Sequence, residues 1–262
     1  MTTPDSKLKP QQAVLPDADV IERRFRSMRA LVLRAIIHLT LDTLKWLLGA
    51  TWKAEGLEHL EHLDGPFIIA SNHSSHADTH VLLRVLPHEM GSRTAVAAAY
   101  DYFGTTTKPS MKRSWIQLAS AAGWHAFGFD RNEQSIRSLR TASRLIRNGW
   151  NLLLYPEGTR SRSGRMASFK PGVAVIARLS RCSVVPACVV GGRNLLPQGK
   201  FFPRRAEVRV RFGAPMTPHP DQRPEDFVAQ VEQAVRDLLS QDSPPSGTKT
   251  TNPGHPLTGS MN

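Results

Sequence analysis

The stretch IIASNHSSHADTH, residues 68–80, decides how the rest of the chain is read. Its first half closes PFIIAS (66–71), a short apolar run that ends in polar residues, the pattern of a buried strand. Its second half opens HADTHVLLRVL (76–86), an apolar-periodic run stopped by Pro87, the pattern of a helix. Ser74 and Ser75 at the junction are good helix N-capping residues. Strand, polar turn and helix in succession form one unit of an α/β sheet, and such sheets gather ligands where strands end. The turn between them carries His73, and the start of the helix carries His76, Asp78 and His80.

The same alternation continues outward. RTAVAAA (93–99), WHAFGF (124–129), WNLLLY (150–155), SVVPACVV (183–190) and AEVRVRF (206–212) read as strands. SWIQLASAAG (114–123), NEQSIRSLRTASRLIRNG (132–149), GVAVIARLS (172–180) and RPEDFVAQVEQAVRDLLS (223–240) read as helices, the second stopped by Gly149. The expectation is one α/β domain over residues 51–240, a mixed sheet with helices on both faces. Pro186 inside an apolar strand removes a ladder donor and implies an edge or a bulge.

Ahead of this domain, Val20 to Leu48 has a helical pattern. Arg34, His38, Asp42 and Lys45 step by four, four and three, one stripe of a helix inside a wide apolar surround. Val20 to Ala50 holds six Lys or Arg against Glu22 and Asp42, a net charge of +4. Residues 19–50 are therefore expected to form an amphipathic segment lying in a membrane interface or packed on the domain, and the two are compatible if it lies between lipid and core. No run approaches the ~18 uncharged residues that cross a bilayer. MTTPDSKLKPQQ lacks the apolar core of a signal peptide. Residues 1–18 and 241–262 are rich in Pro, Ser, Thr or Gly and are read as disordered tails.

The chain has 262 residues and a formal charge of +12, which favours an anionic partner: phospholipid, phosphorylated substrate or nucleic acid. A nucleic-acid reading draws on KFFPRRAEVRVRF (200–212), where alternation would put Arg205, Arg209 and Arg211 on one face. Low aromatic content, 7%, and the lack of a recognisable binding motif count against it. The two cysteines, Cys182 and Cys188, exclude a disulfide framework and read as buried thiols.

The histidine-rich turn admits three readings. His73 and Asp78 would lie about 140° apart on one regular helix. With His73 still in the turn, the chain can fold back so that the carboxylate holds one imidazole nitrogen and makes the other a general base. A metal site would need three converging ligands, and His76 and His80 share a helix face that His73 does not. A merely polar helix start is the third reading.

Three more strand ends carry polar groups. GWHAFGFDR (123–131) ends in Asp130 and Arg131. LLLYPEGTRSRSG (152–164) puts Glu157, Gly158, Thr159 and Arg160 at a strand end, with Arg162, Arg165 and Lys170 behind. Arginine's planar fork suits phosphate, and glycine allows close backbone approach. VVPACVVGG (184–192) is the strand that holds Pro186.

In order and spacing these four stretches resemble the signature blocks of the glycerolipid acyltransferase family. NHSSHAD matches a histidine and an aspartate with four residues between, and PEGTR follows about eighty residues later. GWHAFGFDR resembles the block ending in arginine, and VVPACVVGG the block centred on proline. The resemblance covers roughly residues 50–215; the extra His76 departs from it.

It implies transfer of a fatty acyl group from a thioester, on coenzyme A or acyl carrier protein, to a lipid hydroxyl. The acceptor it suggests is 1-acylglycerol 3-phosphate, giving phosphatidic acid; glycerol 3-phosphate, another lysophospholipid or an aminolipid are the alternatives, with a metal-dependent hydrolase behind them. It casts His73 as base and Asp78 as its orienter, and assigns Arg131, Glu157, Gly158, Thr159, Arg160 and Lys170 to the acceptor phosphate. Pro186 would shape an acyl-binding wall. It implies no cofactor, no metal, a phospholipid surface as partner, no nucleic acid, and a peripheral or monotopic place on the cytoplasmic face of the cell membrane. No Gly-x-Ser-x-Gly nucleophile elbow is present, which fits direct transfer.

Overall fold

The computed structural model describes residues 17–99, 122–129, 136–161, 164–200 and 202–241. Seven strands form one sheet: β1 (Thr51–Glu55), β2 (Ile68–Ser71), β3 (Thr94–Ala99), β4 (Ala126–Phe129), β5 (Asn151–Leu154), β6 (Val184–Val190) and β7 (Glu207–Phe212). Their order is β1-β7-β6-β2-β5-β3-β4. The five strands from β6 to β4 run parallel, β7 is antiparallel to β6, and β1 is parallel to β7. The sheet is mixed, as the alternation predicts.

Strand side chains alternate between two cores, as a period of two demands. Ile68 and Ala70 of β2, Leu152 and Leu154 of β5, and Val184 and Cys188 of β6 face one core. Helices α1 (Ala18–Phe25), α6 (Ile136–Arg147), α7 (Gly172–Ser180) and α9 (Pro224–Ser240) cover that face. Ile69, Leu153, Val185 and Val189 face the other core, under α3 (Glu58–Glu61), α4 (Ala77–Val85), α5 (His88–Ser92) and α8 (Gly192–Leu195). Each fully buried Leu or Ile stabilises the fold by ~1.5–3 kcal/mol. Neither cysteine forms a disulfide, both are buried among these side chains, and burial pushes the Cys182 thiol up to about 12.

The structure sharpens the sequence reading at three points. The helical pattern over Val20–Leu48 is broken: α1 ends at Phe25, and Ser27 caps a new helix, α2 (Met28–Leu48), by accepting from the Ala30 N–H. The strand at Thr51–Glu55 has no apolar run to reveal it, because it is an edge strand without a buried residue. Pro186 is not on an edge, since β6 lies between β7 and β2. Of the two expected alternatives the bulge holds: Ala187 pairs with Phe212, but Val184 bridges to Met216, so β7's side has one residue more. The Pro186 carbonyl accepts from Gly213, which puts its missing N–H on the same side, where the ladder is interrupted.

The stripe predicted on α2 exists, and it faces inward. Arg34 donates to the carbonyls of Ala122 and Phe25, and His38 meets the Gly123 carbonyl at 3.0 Å. Asp42 pairs with Arg84 at 2.6 Å, and the Lys45 ammonium stands 4.4 Å from the centre of the Trp52 ring. The helix thus runs from the residues preceding β4, at one sheet edge, to β1 at the other. With its polar stripe spent on docking, α2 buries no residue fully and turns Ile36, Leu39, Trp46 and Leu47 outward. Leu39 and Trp46 are 70% and 78% exposed. No helix among the described residues is long and apolar enough to cross a membrane.

Candidate active site

β2 delivers the chain to the carboxyl edge of the sheet at Ser71. Asn72 then stitches the departing chain to β6, donating to the Val189 carbonyl and accepting from the Val189 N–H at 2.8 Å. His73 comes next, still outside the helix. The chain folds back over the first turn of α4, and Asp78, fully buried, points into the bend. Its Oδ2 accepts from the backbone N–H of Ser74 and of Ser75, both at 2.6 Å, and lies 3.2 Å from His73 Nδ1. A buried carboxylate is tolerable only with such partners, and charge-assisted bonds of this kind are the strong ones. The N-cap of α4 is His76 and not Ser74 or Ser75 as expected, although the Ser75 hydroxyl accepts from the Ala77 N–H while donating to the Leu196 carbonyl.

The imidazole is fixed from a second direction. Tyr155, the last residue before Pro156, stacks on it with ring centres 3.9 Å apart and planes 15° from parallel. The tyrosine hydroxyl bonds to Thr79 Oγ1 at 2.9 Å, so one turn of α4 holds both the carboxylate and the stacking ring. Burial raises the phenol's pKa above the ordinary tyrosine range, with the Asp78 charge adding to it, so this ring stays neutral. With Nδ1 engaged by a carboxylate, the proton belongs on Nδ1 and the lone pair on Nε2.

β5 brings up the second loop. Gly158 has φ +73, a left-handed conformation that glycine adopts without strain, and the chain turns there directly after the strand. Glu157, 5% exposed, accepts from the His73 N–H at 2.7 Å and from the Ala167 N–H at 2.8 Å. The His73 carbonyl in turn accepts from the Ser161 N–H at 2.9 Å. Burial raises the Glu157 pKa and these two amides oppose the rise. Its carboxylate is occupied in joining the two loops. Thr159 is exposed and Arg160 half-buried on the same loop. The Arg160 charge reaches His76 at the rim: local burial first and Arg160 second hold that imidazole down to about 4. Arg160 is next in the chain to Ser161, whose N–H bonds to the His73 carbonyl, so its backbone adjoins the His73 turn. Lys170 is half-buried, its N–H bonded to the Pro156 carbonyl at the base of the same loop.

Not every predicted residue converges here. Pro186 lies within the sheet, in register with Ala70, below the loops. His80 points away, into a box of His38, Trp52 and Trp124 beneath α2, where Trp124 Nε1 donates to its Nδ1. His73, His76 and His80 consequently do not converge as metal ligands. Arg131, and with it Asp130 and the region from Tyr100 to Arg113, lies outside the described residues, as do Arg162 and most of SWIQLASAAG. In the late strand, Arg209 bonds to Glu207 and the buried Arg211 to Glu55 at 2.6 Å and to the Leu238 carbonyl. Both arginines thus have acidic partners within the protein, Arg209 at the surface and Arg211 buried.

Sequence reading missed Asn72, Tyr155, Thr79 and Gly192. Tyr155 had a signal in its place just before PEGTR, and Gly192 in a glycine pair directly after a strand.

Comparison with known proteins places the chain in a family. Residues 52–190 match the family model described as Acyltransferase. A Limnanthes douglasii protein named 1-acyl-sn-glycerol-3-phosphate acyltransferase is 26% identical over 225 residues, covering 82% of this chain and 73% of that protein. An Arabidopsis thaliana protein, 1-acyl-sn-glycerol-3-phosphate acyltransferase LPAT1, chloroplastic, is 28% identical over 55% of this chain and 37% of its own length. The match thus spans well under half of that longer relative. The crystal structure of the 1-acyl-sn-glycerophosphate acyltransferase PlsC from Thermotoga maritima superposes with a TM-score of 0.61 at 23% identity, covering 86% of this chain and 88% of that one. The likeness to that structure establishes the shared fold, and the family match spans both loops that meet at His73. The chain belongs to the acyltransferase family.

Proposed function

We propose that this enzyme moves a fatty acyl group from a thioester to the free hydroxyl of 1-acylglycerol 3-phosphate, giving phosphatidic acid. The names of its relatives support the acceptor class. The observation that carries the chemistry is the buried Asp78, which holds His73 Nδ1 at 3.2 Å beside a loop that bears Arg160. His73 Nε2 takes the proton of the acceptor hydroxyl as its oxygen attacks the thioester carbonyl carbon. The tetrahedral intermediate collapses, the carbon–sulfur bond breaks, and the thiolate leaves with the proton from the imidazolium. A thioester is already activated, so a positioned base and a held acceptor suffice, without an acyl-enzyme.

Arg160 is the residue assigned to the acceptor phosphate, where a guanidinium gives two parallel charge-assisted bonds. Thr159, Gly158 and Lys170 shape the same loop, and Arg131 is assigned to the phosphate by resemblance. The outward apolar face of α2 supports a place at a phospholipid surface, where a lysolipid would be found. The test is thiol release from acyl-coenzyme A with a panel of acceptors, for wild type and Arg160→Ala. The reading expects turnover with 1-acylglycerol 3-phosphate and a KM for it raised ~10-fold or more in the variant, the cost of one charge-assisted contact. An unchanged KM, or equal turnover with an acceptor that lacks phosphate, would refute the phosphate assignment.

A further inference from the structure

The turn that follows β6 approaches Asp78 more closely than any side chain would allow. Gly191 has φ +86 and opens α8, and Gly192 follows it within that helix. A Cβ built on Gly192 would overlap Asp78 Oδ1, would come to 3.2 Å from the carboxylate carbon, and would be 3.4 Å from Ser75 Cβ. Glycine at 192 is therefore a matter of room, and its own φ lies outside the left-handed region. The contact is one of several. Asn72 holds Val189 by two hydrogen bonds, and the Ser75 hydroxyl donates to the Leu196 carbonyl, so residues 189–196 line the outer side of the 72–78 bend. Asp78 is confined between the backbone amides of Ser74 and Ser75 on one side and the bare backbone of Gly192 on the other.

We infer that Gly192 is a positioning residue for the acyl transfer: its missing side chain sets how deep Asp78 sits and so where His73 is held. The inference rests on the base reading given above. Displacing a catalytic group by about 1 Å can cost ~10²-fold in rate, so a single methyl at 192 is enough to matter. It also gives the end of the proline block a part in orienting the base couple. Neither glycine propensity nor backbone strain requires glycine at 192.

The experiment is a double-mutant cycle in the full chain. Gly192→Ala, Asp78→Ala and the double variant are assayed for kcat, KM and melting temperature, with Gly65→Ala, whose Cβ would meet nothing within 4 Å, as control. Gly192→Ala should lower kcat by ~10–100-fold with KM within ~2-fold. The double variant should be no slower than Asp78→Ala alone, because the methyl then occupies the space the carboxylate has vacated. If Gly192→Ala folds poorly, the double variant should recover the melting temperature of Asp78→Ala. Wild-type kcat in Gly192→Ala, losses that multiply in the double variant, or no recovery of folding would each overturn the inference. Failure of the base reading would appear separately, as full activity in Asp78→Ala.

Discussion

The carboxylate of Glu157 accepts a 2.7 Å hydrogen bond from the backbone N–H of His73, 84 residues away in the chain. Through that bond the loop after β5 sets the height of the loop after β2. The other oxygen accepts from Ala167, so the side chain closes its own loop at the same time. Glutamine in its place would turn an NH2 group toward one of the two amides. Glu157→Gln should therefore lower stability by ~1–3 kcal/mol, the range for a buried donor left unsatisfied, and lower kcat with it. Chemical denaturation alongside initial rates checks this. A variant with wild-type values in both would mean that the two loops hold each other by other contacts.

The outward face of α2 makes a prediction that does not involve catalysis. Leu39 and Trp46 touch little of the protein, so Leu39→Glu with Trp46→Glu should leave the melting temperature within about 1 °C. Burial of large apolar side chains is worth ~1.5–3 kcal/mol each, so the pair should weaken binding to anionic phospholipid vesicles by at least ~10-fold. Wild-type binding should also weaken as salt rises, since the segment from Val20 to Ala50 carries a net +4. Equal co-sedimentation of variant and wild type would contradict an interfacial α2.

Acid should loosen the protein from its N-terminal side. Burial holds His80 and His125 down to about 3, with nearby cations acting in the same direction. His80 sits against His38 of α2, and His125 packs edge-on against Phe25 of α1 and against Trp150. In the unfolded chain both titrate near 6.5. Between about 3 and 6.5 the unfolded state thus binds more protons, and stability is complete above that window and falls as pH drops through it. Each group contributes up to ~1.4 kcal/mol per pH unit there. The melting temperature should decline from pH 7 to pH 5, and His80→Gln, which cannot titrate, should make that decline shallower, with His125, His76 and His38 supplying the rest. A flat profile from pH 7 to pH 5 would contradict neutral burial of these rings.

Much of this arrangement was legible in the sequence because it depends on local pattern. The strand runs at 68–71, 151–154 and 184–190 are apolar and punctuated, and all three are central and buried. The pairing of His73 with Asp78 followed from a single point, that one of them precedes the helix. What stayed hidden depends on partners distant in sequence. The edge strand Thr51–Glu55 is defined by pairing with Glu207–Arg211, and its own residues carry no apolar run. The stripe of Arg34, His38, Asp42 and Lys45 was visible on α2, but a charged stripe is ordinarily turned to solvent, and only the carbonyls of Ala122 and Gly123 and the Arg84 side chain explain why it faces the domain. Gly192 is needed because of a carboxylate 114 positions earlier, a reason that no local rule contains.

The central claim is that His73, steadied by Asp78, is the base. The most direct measurement is kcat for thiol release from acyl-coenzyme A with 1-acylglycerol 3-phosphate in His73→Ala, with the melting temperature taken on the same preparation. A positioned base contributes ~10²–10⁴-fold, so kcat should fall by that factor while the fold is retained. A folded His73→Ala enzyme that turns over at the wild-type rate would contradict it.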